Sequence, residues 1–282
     1  MSMLGVYLLN YSAWYDGSSV IEQDSDSDKL LDKISIQDLN SEKTRSDDPI
    51  LIDIIRKRFL TPASTEPYAL SEHTVQSEGQ TKIVDEFFKQ KTHGVFVECG
   101  AYDGEFLSNT LFLERFRAWT GLLIEPEPDN FEALKKRHRK AIISNACLSS
   151  KPHPSEAIMR QENFMSETQD AENLIHDHVS GHDNYKIVQC FPFYSILLAA
   201  NITTIDYFSL DVEGQEFNVL KTIPWHRVDI KVISVEYKHV KEGKMGVNSF
   251  MEDVGYHAYG EVSDVSGAFI DTVYVRQDLL SR

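Results

Sequence analysis

Glu98-x-Gly100-Ala101-x-Asp103-Gly104 stands between an apolar run, GVFVECG, and a helical pattern that begins near Ser108. Glycines at such a junction let the chain turn tightly and let a ligand approach the main chain. A helix start near Ser108 offers free N–H groups. A turn built for a pyrophosphate wants G-x-G-x-x-G. This one carries two carboxylates instead, Glu98 and Asp103, which repel a pyrophosphate and suit the amino group and sulfonium of S-adenosylmethionine (SAM). An ordinary acidic turn is the plainer reading of the same residues.

Four further groups can be placed around that turn. Glu125 ends the apolar run GLLIEPEP, where an acid can accept hydrogen bonds from both hydroxyls of a ribose. Ala146 and Cys147 end AIISNACLS, at the edge expected to border an adenine, although a free cysteine is commonly small core packing. Asp211 and Glu213 follow DYFSL and alternate by two, so both can point the same way from extended backbone. A carboxylate there can orient an acceptor or act as a base toward a hydroxyl, or cap the following helix QEFNVL. Glu236 stands near the end of KVISVEY and His239 just after it, and His239 is a candidate base near neutral pH. His176, His178 and His182 have the composition of metal ligands but lie in a polar stretch, so no metal site is assigned.

The elements that must carry these residues alternate in type. The polar, acidic residues 16–48 read as a disordered arm. Asp48 before Pro49 is a cap and first-turn pair for the helical DDPILIDIIRKRFL. TKIVDEFFKQK reads as an amphipathic helix with Ile83, Val84, Phe87 and Phe88 on one face. From Gly94, strands alternate with helices: GVFVECG, SNTLFLERFRAW, TGLLIEPEP, DNFEALKKRHRK with Asp129 as cap, then AIISNACLS as one strand. Residues 151–184 read as long, polar and irregular. KIVQCF, YSILLAAN, DYFSLDVEG, QEFNVLKTI and IKVISVEY continue the alternation, and GYHAYGEVS with GAFIDTVYVR forms a closing β-pair. Alternation of this kind predicts a parallel sheet covered on both faces.

A formal charge of −16 across 282 residues argues against nucleic acid, because phosphate binding needs clustered Lys and Arg. Cys99, Cys147 and Cys190 show no metal or redox spacing. A bond between Cys147 and Cys190 is open to a chain that folds in an oxidising compartment. Sequons at Asn10 and Asn201 matter only in a secretory chain. No segment is long enough to span a bilayer, and the apolar N-terminus MSMLGVYLLNY is short and lacks a basic start.

Together FVECGAYDGE, GLLIEPEP, the CLS of the third strand and DYFSLDVEGQE resemble the FkbM-type methyltransferase domain. DDPILIDIIRKRFL, PYALS, SNTLFLER, QCFPFYSILLA and IPWHRVDIKVISVEY resemble its Star-like branch. The resemblance implies a Rossmann-like class I methyltransferase fold, α/β, with a mostly parallel seven-stranded sheet, an antiparallel edge strand and helices on both faces. It implies three segments: a flexible acidic segment over 1–46, a helical flank over 47–92 and the methyltransferase domain over 93–282. It implies SAM as cofactor and O-methylation without a metal. The family's cofactor positions fall on Glu98, Gly100, Asp103, Gly104, Glu125 and Asp211, and Ala101, Ser108, Ala146 and Cys147 are added as neighbours. Asp211, Glu213 and His239 are the catalytic candidates. The Star-like branch implies a different role, in the endoplasmic reticulum and Golgi, in the transport of growth-factor precursors, with a secretory cargo protein rather than a hydroxyl-bearing acceptor as partner. Its expected membrane anchor is absent or truncated here, so a soluble cytoplasmic location stays open beside the luminal one. A non-catalytic cargo-binding protein on the same fold and a Rossmann oxidoreductase are the alternatives.

Overall fold

The computed structural model describes residues 31–71, 77, 79–162, 165–170, 185–263 and 266–280. The chain divides into two compact units, 1–39 and 40–282. In the first, Ile36–Leu39 forms a short 3₁₀ turn within what reads from sequence as a disordered arm. His176, His178 and His182, Asn10 and the apolar N-terminus lie outside the described residues.

The second unit opens with α1 (Pro49–Arg58). Asp48 caps it, its carboxylate accepting from the N–H groups of Ile50 at 2.8 Å and Leu51 at 3.3 Å, which satisfies two orphaned donors of the first turn. The central sheet follows from near-continuous apolar runs, the pattern of strands buried on both faces. Its members are β1 (Leu60–Thr61), β2 (Val95–Cys99), β3 (Thr120–Ile124), β4 (Ile142–Ser144), β9 (Thr204–Leu210), β10 (Asp229–Glu236), β11 (Tyr256–Ser263) and β12 (Phe269–Arg276). They lie in the order β1-β4-β3-β2-β9-β10-β12-β11. The five strands from β4 to β10 are parallel, and β12 runs antiparallel to both of its neighbours.

Helices cover both faces. Phe96 and Tyr207 face one side, in a core with Val84 of α2 (Gln80–Phe87), Leu113 of α3 (Leu111–Arg117) and Phe131 and Leu134 of α4 (Pro128–Lys136). Phe208 faces the other side and stacks on Phe193 of α5 (Phe193–Ala199), ring centroids 4.4 Å apart. Two more helices, α6 (Glu216–Thr222) and α7 (Gly243–Asp253), connect β9 to β10 and β10 to β11. The short α8 (Gln277–Leu280) closes the described chain.

The Rossmann-like α/β fold expected from the sequence is present, with corrections in detail. The sheet has eight strands rather than seven, because Leu60–Thr61 pairs antiparallel with β4 at one edge. The antiparallel strand β12 sits one place inside the other edge rather than at it. AIISNACLS is not one strand. It breaks at Asn145–Ala146 into β4 and β5 (Cys147–Leu148), and β5 enters a second sheet, in which it lies beside β8 (Tyr185–Phe191), followed by β6 (Ser155–Glu162) and β7 (Met165–Asp170). Within the stretch read as irregular, β6 and β7 pair antiparallel. β6 also pairs with β8. Backbone pairing to β8, which periodicity does not register, organises that polar segment. Glu127, not Asp129, caps α4, accepting from the N–H of Asn130 at 2.7 Å. Among the described residues no helix is long and apolar enough to cross a membrane.

Candidate functional site

The strand order reverses between β2 and β9, so the loops after their carboxyl ends part there and leave a crevice, the usual ligand position in an open α/β sheet. A cleft of about 270 Å³ lies at that point. Glu98, Gly100, Ser108, Glu125, Cys147, Asp211 and Glu213 line it. Ala101, Asp103, Gly104, Ala146 and His239 are not among its lining residues. Apolar surface comes from Phe106, Leu107, Ile124, Leu148 and Met159, and Tyr102, Asn109, Asn130 and Ser209 add polar groups that sequence reasoning did not single out.

Gly100 fixes the floor. Its φ is +80° and a Cβ there would lie 2.1 Å from the Asp211 carbonyl oxygen, so β2 and β9 approach closely only because no side chain intervenes. Three non-glycine residues of the lining, Tyr102, Leu107 and Glu213, also hold left-handed φ of 49°, 54° and 54°. Strain of this kind costs of order 1–3 kcal/mol each and gathers where a site is shaped in advance.

The two carboxylates of the turn have protein partners. Glu98 is buried and accepts from Ser108 Oγ at 2.9 Å, the Asn109 N–H at 2.7 Å and Thr110 Oγ1. Burial pushes its carboxyl up, against the opposing pull of Arg139 and these donors. Asp103 accepts from the N–H groups of Glu105 at 2.9 Å and Phe106 at 2.8 Å and pairs with Arg137. Burial pushes Asp103 up, but the Phe106 N–H, Arg137 and the Glu105 N–H outweigh it and hold the carboxyl below its ordinary value. The N–H groups near Ser108 are likewise taken, by Glu98 and by Ser108 Oγ itself. The expectation of free donors there is therefore corrected: the chain folds back to satisfy them. Ala101 and Ala146 are buried, Ala101 in the core that α4 covers.

Arg139 organises this turn, a role that no local pattern in the chain signals. Its guanidinium is fully buried and donates to Glu114 Oε1 at 3.0 Å, Ser108 Oγ at 3.2 Å, Thr110 Oγ1 at 3.1 Å and the Gly104 carbonyl. Gly104, at φ +76°, would place a Cβ 2.3 Å from Leu134 Cδ1. On the neighbouring strand, Glu125 accepts from the N–H groups of Tyr102 at 2.8 Å and Glu127 at 2.9 Å. Burial pushes its carboxyl to about 7, against these donors. Cys147 and Cys190 face each other on β5 and β8 and form a disulfide beside the cleft.

The far wall is strongly acidic. Burial, with Glu236, Glu213, Asp271 and Glu216 nearby, pushes Asp211 well above the usual carboxylate range. Burial and the same acids push Glu236 to about 9, and burial pushes Glu216 to about 7. Neither Asp211 nor Glu213 caps α6. Glu216 accepts the N–H groups of Val212 and Gly214 instead. His239 Nε2 stands 3.8 Å from Glu213 and 3.9 Å from Glu236, beyond hydrogen-bond length. Among the described residues, four carboxyl groups and no Lys, Arg or His line the cleft, an arrangement that favours a ligand carrying positive charge over a phosphate.

Among known proteins, the family model described as Methyltransferase FkbM domain matches residues 98–258. No curated protein sequence matches the chain. Among solved structures, the chain is similar to a methyltransferase FkbM from Methylobacillus flagellatus, with 11% identity over 79% of this chain and 50% of that one and a TM-score of 0.42. The chain thus spans about half the length of that protein. A TrmK from M. capricolum in complex with S-adenosylhomocysteine (SAH) matches with 10% identity over 68% and 67% of the two chains, TM-score 0.36. A magnesium protoporphyrin IX methyltransferase from Synechocystis with bound SAH matches with 11% identity over 71% and 83%, TM-score 0.36.

Proposed function

This chain belongs to the FkbM methyltransferase family, and from that premise we propose that it binds SAM in the cleft and moves its methyl group to an oxygen acceptor. The observation that carries the reading is the acidic lining, four carboxyl groups and no basic side chain among the described residues. A sulfonium with an ammonium group fits it, whereas the pyrophosphate of a dinucleotide is repelled. In this reading Glu125, which lines the cleft, accepts the ribose hydroxyls, and the apolar wall of Leu148, Met159 and the Cys147–Cys190 bridge suits a purine face. Bound there, SAM would supply a methyl group to the acceptor oxygen, with SAH as the leaving group. Glu213 is the candidate to take the acceptor's proton, with His239 behind it. Calorimetric titration with SAM, SAH and NADH tests the reading. Binding of SAM and SAH is expected, weakened roughly tenfold to a hundredfold in Glu125→Ala, since hydrogen bonds to a charged group contribute about 1.5–3 kcal/mol. Silence toward SAM and SAH up to millimolar ligand, or tight NADH binding, overturns it.

A second reading concerns the compartment and is favoured by the disulfide. Structural disulfides persist in oxidising compartments, and Asn201 of the second sequon is exposed at the end of α5. We infer a secretory-pathway location, with a cargo protein among the partners and the Star-like role in precursor transport. Expression with a secretory leader should give a glycan at Asn201 and co-fractionation with early secretory membranes; an unglycosylated chain with both thiols reduced in cells argues against it.

A further inference from the structure

Asp211 belongs both to the cleft and to a second group of acids that does not line it. Glu216 begins α6 and Glu236 ends β10. One carboxylate oxygen from each of Asp211, Glu216 and Glu236 lies within 4.8 Å of the other two. Glu216 is 0% exposed. The N–H groups of Val212 and Gly214 donate to its Oε1 at 2.7 and 3.2 Å and fix the carboxylate. Its Oε2 is sealed from solvent with no hydrogen-bond partner, and Glu236 Oε2 is in the same condition. A buried polar atom left without a partner is destabilising, and more so when the group is charged. Two such oxygens, on residues whose carboxylates converge with that of Asp211, point to a positive ligand among them.

We propose that Asp211, Glu216 and Glu236 hold one hard divalent cation through carboxylate oxygens. Oxygen ligands sit about 2.3–2.6 Å from Ca²⁺, so neighbouring ligands are roughly 3.3–3.7 Å apart and opposite ones roughly 4.6–5.2 Å. The trio's oxygens, all within 4.8 Å of one another, are close enough to share one ion. An all-oxygen set selects Mg²⁺, Ca²⁺ or Mn²⁺ over the metals that prefer nitrogen and sulfur. Glu213 and His239, both partly exposed, form an overlapping cluster with Glu236. Glu216 and Glu236 do not line the cofactor cleft, so the cation site is adjacent to the cofactor rather than a reassignment of its contacts. The site departs from the metal-free chemistry implied by family resemblance. It stands whether or not a methyl group is transferred.

The test is Mn²⁺ binding to the full-length, chelator-treated protein at about pH 8, where the carboxylates can be deprotonated for a metal, read from the loss of the free-ion electron paramagnetic resonance signal. One Mn²⁺ per chain is expected, displaced by excess Ca²⁺, with thermal stability rising as Mn²⁺ is added. Glu216→Gln and Glu236→Gln should each weaken binding about tenfold or more, because ligand charge count sets affinity in such sites. Glu132→Gln, on the exposed face of α4, should bind like the unaltered protein. Circular dichroism and SAH binding of both ligand variants report that they fold, and Glu236→Gln removes like-charge repulsion without removing volume. Absence of Mn²⁺ binding at millimolar concentration, or binding that neither variant weakens, overturns the proposal. A carboxylate cluster that relieves its repulsion by sharing protons instead gives the first of those results.

Discussion

Replacing Arg139 with Met should be among the most damaging single changes at the site, although Arg139 does not itself line the cleft and reaches it only through Ser108. The side chain is 0% exposed and its partner Glu114 1% exposed. Met keeps the bulk of the stem and removes the charge and five donors. Four acceptors lose their donor at once: Glu114, the Gly104 carbonyl, Ser108 Oγ and Thr110 Oγ1. Glu114 keeps only part of its support, from the N–H of Lys140 at 2.8 Å. Removing one partner of a buried ion pair costs about 3–5 kcal/mol. For a unit of this size, each kcal/mol lowers Tm by roughly 2–4 °C, so Tm should fall by roughly 6–20 °C. Arg139 also opposes the upward push of burial on Glu98. Without it the Glu98 carboxyl rises further. A carboxyl raised in the folded state adds stability below its unfolded pKa and loses it as pH rises through the folded value. The deficit of Arg139→Met should therefore be larger at pH 8 than at pH 5, an acid-side recovery that simple loss of packing does not produce. Urea unfolding at both pH values measures it, and a cycle with Glu114→Gln should show coupling of about 0.5–3 kcal/mol. A loss below about 1 kcal/mol, or additivity in the cycle, refutes the view that this pair anchors the turn.

Three further outcomes are expected. Gly100→Ala must adopt φ +80° and push against the Asp211 carbonyl; a loss of about 2–4 kcal/mol and weaker SAH binding should appear together in thermal unfolding and calorimetry. Glu125 titrates at about 7 in the folded state because of burial. The stability it adds is therefore complete below its unfolded value near 4.3 and is lost as pH rises through about 7, so Glu125→Gln should flatten the fall in stability between about pH 5 and 8. Since the ionised carboxylate is the better acceptor for ribose hydroxyls, SAH affinity of the unaltered protein should rise over the same interval and that of the variant should not. The Cys147–Cys190 bond closes a sequence separation of 43 residues, so a dithiol reductant should lower stability by about 2–4 kcal/mol, measured as urea midpoint with and without the reductant.

Much of the site's framework was legible in the sequence. The apolar runs ending at Cys99, Ile124, Leu210 and Glu236 had to be buried parallel strands, because helices separate them and both faces are apolar. A strand end followed by Gly100 had to be a turn with left-handed backbone, and Glu125, Asp211 and Glu213 had to emerge at the same edge of the sheet as that turn. Asp48 before Pro49 specified its own cap, since the interaction is local. What the sequence could not assign was the partner of each carboxylate. Glu98 and Asp103 read alike in the chain, yet Glu98 folds over the start of α3 while Asp103 turns to Arg137. Local spacing placed β4 and β5 in one strand, and only their neighbours, Leu60–Thr61 on one side and β8 on the other, divide them. The buried charge of Arg139 and the converging oxygens of Asp211, Glu216 and Glu236 depend on side chains far apart in sequence meeting where water is excluded. Burial sets the sign and size of those interactions, and burial is decided by tertiary packing alone.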